Sequence, residues 1–198
     1  MAGSIKLIGE YARKAEKMLY VVTKILEQEK IPYILEGGTL LGIIREKRLL
    51  PWDNDIDLTI TRPYVNQLLS IRWKLWLRGY RTRIRTIKED SVYFKKGHPR
   101  ILKIQTTRFL ILKDVSLMDI FIKDLVEERY YWTVSEKNVL KSAPRKYYES
   151  LTAIEFKGKT YSVPQEYDNY LQSRYGDWRT PVKDYDYTKD DLSILNKK

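Results

Sequence analysis

Three aspartates occupy alternate places in the run PWDNDIDL: Asp53, Asp55 and Asp57. Carboxylates this close repel one another, and each resists burial as a charge. In an extended segment, side chains two apart leave the same face, with α-carbons roughly 6.5–7 Å apart. Asp55 and Asp57 can then converge, and Asp53 joins them if the strand begins that early. Such a group either stays protonated or holds a cation. Mg²⁺ or Mn²⁺, hard ions that take oxygen ligands together with substrate phosphates, are the better chemical answer.

The preceding stretch EGGTLLGIIRE supplies what a phosphate needs. Gly37 and Gly38 have no Cβ, so the backbone can approach an anion closely at the start of a helix. Thr39 can add a hydroxyl, and Arg45 a planar fork for a phosphate oxygen. Trp52, beside the acidic run, can stack on a base or a quaternary ammonium head, or pack beneath the loop. A third carboxylate is expected from a neighbouring strand. Asp119, the single charge within SLMDIFI, is the candidate. Together these are the parts of metal-assisted attack on phosphorus, with Asp55, Asp57 and Asp119 catalytic and Asp53, Asp55 and Asp57 around the metal. Each signal alone has a plainer explanation: a glycine pair is usually a turn, and Asp-x-Asp on a strand can be a solvated ladder. An EF-hand would need a different spacing and a distal glutamate. Their order along the chain is what favours the site.

The elements that must position these groups follow from periodicity. Ile8, Ala12, Ala15, Leu19, Val22 and Leu26 keep helical spacing, which predicts an amphipathic helix over about residues 4–29. IPYILEGG reads as a short strand ended by its glycines, and TLLGIIREK as a short helix. In NDIDLTI, Ile56, Leu58 and Ile60 alternate with Asp55, Asp57 and Thr59, the period of a half-buried strand. PYVNQLLSIRWKLWLRGY predicts one helix stopped at Gly79. TRIRTIKEDSVYFKK, RILKIQTT and DVSLMDIFIKDL predict strands, and a helix is expected from about Ser135 to Lys141. AIEFKGKTYSVP predicts a hairpin turning at Lys157-Gly158, and QEYDNYLQSRYGDW a closing helix. The fold class is α+β, a mixed sheet with helices packed on it, in one domain: core at about 31–182 and a loosely packed tail at about 183–198.

The 198 residues are enough for a core without staples, and the 43% apolar and 32% charged fractions are those of a folded globular chain. There is no cysteine, which excludes disulfides, thiolate nucleophiles and cysteine zinc sites. A reducing compartment fits. The N-terminal residues lack an uninterrupted apolar core and no run is long enough for a membrane span, so a cytoplasmic or membrane-peripheral location is expected. The net charge of +11, from 37 Lys and Arg against 26 Asp and Glu, calls for an anionic partner or a solvated basic surface.

GGTLLGIIREKRLLPWDNDIDL resembles the signature of the LicD family, a branch of the DNA polymerase beta-like nucleotidyltransferase superfamily that includes the fukutin-related proteins. LMDIFIKDL is similar to that family's second aspartate strand, and VPQEYDNYLQSRYGDWRTP to its closing segment. The likeness runs from about Tyr33 to Pro181. It implies a nucleotidyltransferase-like sheet and Mg²⁺-dependent transfer of a phosphorylated alcohol, such as phosphocholine or ribitol phosphate. The donor would be CDP-linked, the acceptor a glycan or other hydroxyl, and CMP the leaving group. Gly37, Gly38 and Thr39 match the phosphate-cradling turn, Asp55 and Asp57 the metal pair, Asp119 the base, and Asp53 an accessory position. Asn54 departs from the aspartate of many relatives, with parity opposite to the metal pair.

Two other functions fit the same residues. One is nucleotidyl transfer from an NTP with release of pyrophosphate. The other is a non-enzymatic basic module for RNA or an anionic membrane, suggested by the charge and by Arg78, Arg81, Arg83 and Arg85. His98, between Gly97 and Pro99, reads as a structural or solvent-facing residue rather than a base. Trp73 and Trp76 read as core or interface residues, and Tyr170, Tyr175 and Trp178 as packing residues.

Overall fold

The computed structural model describes residues 5–108, 112–134 and 139–195. Helix α1 (Gly9–Gln28) buries Ala15, Leu19, Val22 and Leu26 of the predicted stripe and adds Met18 and Ile25, while Ile8 is exposed ahead of the helix and Ala12 is half-buried. Each such side chain contributes roughly 1.5–3 kcal/mol when fully covered, so Leu19→Ala would cost about 2–5 kcal/mol. A two-residue strand, β1 (Ile34–Leu35), leads into α2 (Gly37–Glu46). Strand β2 (Ile56–Thr61) buries Ile56, Leu58 and Ile60 on one face.

Where one helix was expected after β2, a 3-10 turn (Arg62–Tyr64) is followed by two short helices, α3 (Val65–Ser70) and α4 (Arg72–Leu77). The break is at Ile71, whose ψ of 3° leaves helical geometry while its side chain stays buried. Strand β3 (Tyr80–Thr86) is antiparallel to β4 (Pro99–Arg108). The expected strand through DSVYFKK is a loop instead. Ser91 N–H donates to Phe94 O and Lys96 N–H to Asp90 Oδ1, so short polar side chains draw the backbone away from a ladder while buried Phe94 pins it.

The long strand β5 (Leu112–Val126) is the spine of the sheet, whose order is β1-β2-β5-β4-β3. β2 and β5 run parallel and the other pairs are antiparallel, so the sheet is mixed, as predicted. The far end of β5 pairs with β6 (Arg129–Val134), which pairs with β7 (Val139–Pro144). This corrects the helix expected from Ser135: residues 135–138 lie outside the described residues, and Val139, Leu140 and Lys141 are strand. A short α5 (Lys146–Glu149) leads to the hairpin β8 (Leu151–Phe156) and β9 (Lys159–Pro164), which turns at Lys157-Gly158 through two positive φ angles. Helix α6 (Tyr167–Tyr175) follows.

Within residues 184–195, part of the segment expected to be loose is packed. Ile194 bridges to Lys141, and Asp191 and Ser193 are buried. Among the described residues, no helix is long and apolar enough to cross a membrane.

Candidate active site

The face of β2 and β5 opposite the aliphatic one carries Asp57, Thr59, Asp119 and Lys123. Asp57 and Asp119 are register partners, as are Thr59 and Phe121. At one end, α5 and α6 roof this face completely: Thr59 and Lys123 have no exposed surface, and Lys123 Nζ donates to Tyr148 Oη at 2.7 Å. Asp55 and Asp57 are half-buried, and Asp119 beside them is buried.

One oxygen from each of Asp55, Asp57 and Asp119 lies within 4.8 Å of the others. Asp55 stands one residue before β2, so the strand begins later than its alternation suggested. Burial and the neighbouring acids Asp119 and Asp53 push the Asp55 carboxyl up to about 7. Asp57 is raised well above its usual range by burial and then by Asp55 and Asp53. Asp119 Oδ1 is buried without a hydrogen-bond partner, while Oδ2 pairs with Lys103 of β4. Three converging, desolvated carboxylates with an orphaned oxygen are a donor set that fits a hard divalent cation.

The glycine turn is stitched to this strand. Glu36 N–H donates to Asp57 O at 3.0 Å, and Asp57 N–H donates to Thr39 Oγ1 at 2.8 Å. Thr39 is therefore buried behind the turn, bracing the strand. Gly37 takes φ +53°, and a Cβ there would lie 3.2 Å from Asp57 Oδ2. A Cβ on Gly38 would lie 2.2 Å from Asp53 Oδ2, a distance no side chain tolerates. Both glycines are thus needed for close approach of the carboxylates, besides opening the first turn of α2, whose leading amides have no intrahelical acceptor.

The remaining predicted residues are placed less centrally. Asp53, expected among the metal ligands, is not one of the converging trio: its Oδ1 accepts from Asn54 N–H at 2.9 Å and its Oδ2 sits against Gly38. Arg45 is two turns beyond Gly38, and its guanidinium donates to Trp178 O at 3.1 Å and to Glu46 Oε1 at 3.0 Å. The structure does not bring it to the carboxylates. Trp52 is 49% exposed at the rim, and its carbonyl accepts from Lys6 Nζ. His98 is exposed on the loop before β4. Tyr170 and Trp178 are buried packing residues, as expected.

Three contributors escaped the sequence reading. Lys103 is the register partner of Asp119 across β4 and β5, a pairing that alternation hints at but only register reveals. Tyr187 faces the site from the C-terminal segment: burial and then the Asp55, Asp186 and Asp57 charges raise its phenol.

The third contributor is Glu36, which precedes the glycines and is buried. Its carboxylate accepts from Lys123 Nζ at 2.8 Å, from Thr59 Oγ1 at 2.6 Å, and from Tyr170 Oη and Arg174 Nη1. Arg174 also binds Asp191, which in turn accepts from Lys141. Three cations here face two carboxylates. Burial alone would raise the Glu36 carboxyl, but the Lys123 and Arg174 charges outweigh it and hold it at about 2. Burial and the surplus cation depress Lys123 to about 7.

Residues 30–166 match the LicD/FKTN/FKRP nucleotidyltransferase domain. The chain belongs to that family. Among its LicD-family relatives, the lipopolysaccharide cholinephosphotransferase LicD of Haemophilus influenzae is 31% identical over 102 residues, covering 50% of this chain and 38% of the relative. Human ribitol 5-phosphate transferase FKRP is 27% identical over 161 residues, covering 81% of this chain and 30% of FKRP. Human ribitol-5-phosphate transferase FKTN is 23% identical over 181 residues, covering 90% of this chain and 36% of FKTN. The LicD-family chain described here therefore spans about a third of the length of these relatives. A crystal structure of ANT(2")-Ia with adenylyl-2"-tobramycin superposes at a TM-score of 0.45 and 17% identity, covering 86% of this chain and 80% of that one.

Proposed function

We propose that this LicD-family chain is a metal-dependent transferase that moves a phosphorylated alcohol from a CDP-linked donor to a hydroxyl acceptor, releasing CMP. The observation that carries this reading is the convergence of Asp55, Asp57 and Asp119 beside the Gly37-Gly38 turn. The printed activities of relatives, cholinephosphotransferase and ribitol-phosphate transferase, support the class of group transferred.

Asp55 and Asp57 would hold the divalent cation, with Asp119 completing the trio. Such an ion neutralises phosphate charge and lowers the pKa of an attacking hydroxyl. The first amides of α2 at Gly37 and Gly38 orient the donor phosphates through hydrogen bonds and the helix dipole. Asp119 takes the acceptor proton. Burial raises its carboxyl and the Lys103 charge partly offsets this, which leaves it a stronger base than an ordinary aspartate. Lys103 holds Asp119 toward the cleft through its ion pair. Trp52 and Tyr187, at the rim, cover the donor's head group or base.

The leaving group decides between this reaction and nucleotidyl transfer. The purified chain is incubated with Mg²⁺ and either CDP-choline, CDP-ribitol or an NTP, with a polyol or glycan acceptor, and the products are separated. CMP from a CDP-alcohol is expected. Pyrophosphate from an NTP, with no CMP, would replace this reading with nucleotidyl transfer. A thermal-shift screen of the same ligands with and without Mg²⁺ identifies the donor independently of turnover.

A further inference from the structure

Helix α4 puts three large apolar side chains into solvent at once. Trp73 is 57% exposed, Trp76 62% and Leu77 63%, although Leu75 between them is buried. Of the two readings of Trp73 and Trp76, core or interface, the exposure excludes the core: Leu75 is the buried side chain between them, and both indoles face outward. Isolated exposed apolar residues are ordinary, but adjacent ones on a single helical turn mark a contact surface.

The chemistry around them is cationic. Arg78 ends α4 and shares a shallow groove with Tyr20 and Lys24 of α1, which brings both positive side chains to the edge of the indole face. Tyr20 is 45% exposed, and Lys24 Nζ stands 5.8 Å from the centre of its ring. Lys74 lies over the Trp73 ring at 5.3 Å but is ion-paired with Glu29, so it adds little net charge. Indole and phenol rings with flanking Lys and Arg are the side chains that settle at the headgroup level of a bilayer, rings in the acyl boundary and cations at the phosphates.

We infer that this α4–α1 face docks the protein on an anionic lipid bilayer, with Trp73, Trp76 and Leu77 inserted and Lys24 and Arg78 against the headgroup phosphates. A second copy of the chain is a poorer occupant, because a twofold contact would bring like charges together between molecules that each carry +11. The geometry leaves the site free. α4 packs on the side of β3 that carries Thr82, to which Arg72 Nε donates at 2.7 Å. Arg83, the register partner of Lys103, faces the carboxylate side. A membrane on α4 therefore leaves Asp55, Asp57 and Asp119 uncovered. Docking here is independent of the reaction those carboxylates perform.

Co-sedimentation with lipid vesicles tests it, using the full chain without nucleotide or metal. Vesicles of phosphatidylcholine are compared with vesicles in which phosphatidylglycerol replaces part of it. Binding to the anionic vesicles, weakened by salt and accompanied by a blue shift of tryptophan fluorescence, is expected. W73S/W76S should abolish the shift and most of the binding. K24E and R78E should each weaken it by about fivefold or more, since a cation near an anionic surface contributes on that scale. These positions are on the surface, so unchanged thermal stability verifies that each variant is folded. Equal partition of wild type and W73S/W76S on anionic vesicles would overturn the inference. So would self-association in sedimentation velocity that W73S/W76S removes, or RNA binding by this face with vesicles left unbound.

Discussion

Asp57 and Asp119 stand opposite one another on parallel neighbouring strands, on the sheet face opposite the aliphatic one. Two carboxylates at adjacent register positions, with Asp55 closing the triangle, are a repulsive arrangement that an isolated fold would not favour. The repulsion has function and stability pulling in opposite directions, and that opposition can be measured.

Removing one acid should stabilise the metal-free protein. Asp57→Asn is expected to stabilise it at pH 7 by more than about 1 kcal/mol, read as a higher melting temperature, since one pKa unit corresponds to about that free energy. The same variant should lose any stabilisation by Mg²⁺ and all transfer activity. A wild-type melting curve untouched by Mg²⁺ or Mn²⁺ would remove the metal from the account.

Asp55→Ala and Asp119→Asn should each reduce transfer to background while leaving the far-UV circular dichroism unchanged. The proposed roles differ: Asp55 would hold the ion, whereas Asp119 would chiefly receive the acceptor proton. Asp119→Asn is therefore expected to retain a Mg²⁺-dependent thermal shift with donor present, and Asp55→Ala to lose it.

The glycine turn predicts a coupled pair. Gly38→Ala would place a methyl group at the position of Asp53 Oδ2 and should cost about 1–3 kcal/mol through overpacking. Asp53→Ala removes the obstacle, so the double variant should be more stable than Gly38→Ala alone. Strict additivity of the two single changes in urea denaturation would contradict the contact.

Glu36→Gln leaves Lys123 and Arg174 buried beside a neutral amide. A loss of about 3–5 kcal/mol is expected, the usual result of breaking one side of a buried ion pair. Neutral Gln keeps the shape, so a change under about 1 kcal/mol in chemical denaturation would show that the pair is not energetically coupled.

The pH dependence follows from the same group. Glu36 has a folded-state pKa of about 2 against an ordinary value of 4.5, so it binds fewer protons folded than unfolded between those limits. Its contribution is fully present above about pH 4.5 and disappears as the pH falls through about 2. Asp191, also lowered by Arg174 and Lys141 against the penalty of burial, acts with the same sign. Acid unfolding monitored from pH 5 to 2 should be steeper in wild type than in Glu36→Gln. Parallel curves would contradict this linkage.

Much of this was legible in the chain itself. The alternation of Ile56, Leu58 and Ile60 with Asp57 and Thr59 defined both β2 and the face its acids share, and the α1 stripe named Ala15, Leu19, Val22 and Leu26 among the residues that α1 buries. Asp119 stood out as a lone charge among aliphatics. Register did not show: that Lys103 opposes Asp119, or that Arg174 joins Glu36 to Asp191, depends on strands and segments far apart in sequence. Arg45 was misplaced because residue type was read without the helix phase that turns it toward Trp178. β7 was missed because a short strand mixing Lys, Ser and Leu carries no period of its own, and its partner β6 supplies the order.

The line of contacts from Lys141 and Asp191 through Arg174 to Glu36 fastens the last described turns of the chain to the residue just ahead of the glycine pair. A clip of this kind makes the residues around Asp191 a structural component of the glycine turn some 150 positions earlier. Removing those residues would be felt at the carboxylates, and the mobility of the glycine turn in hydrogen exchange would report on a segment distant from it in sequence.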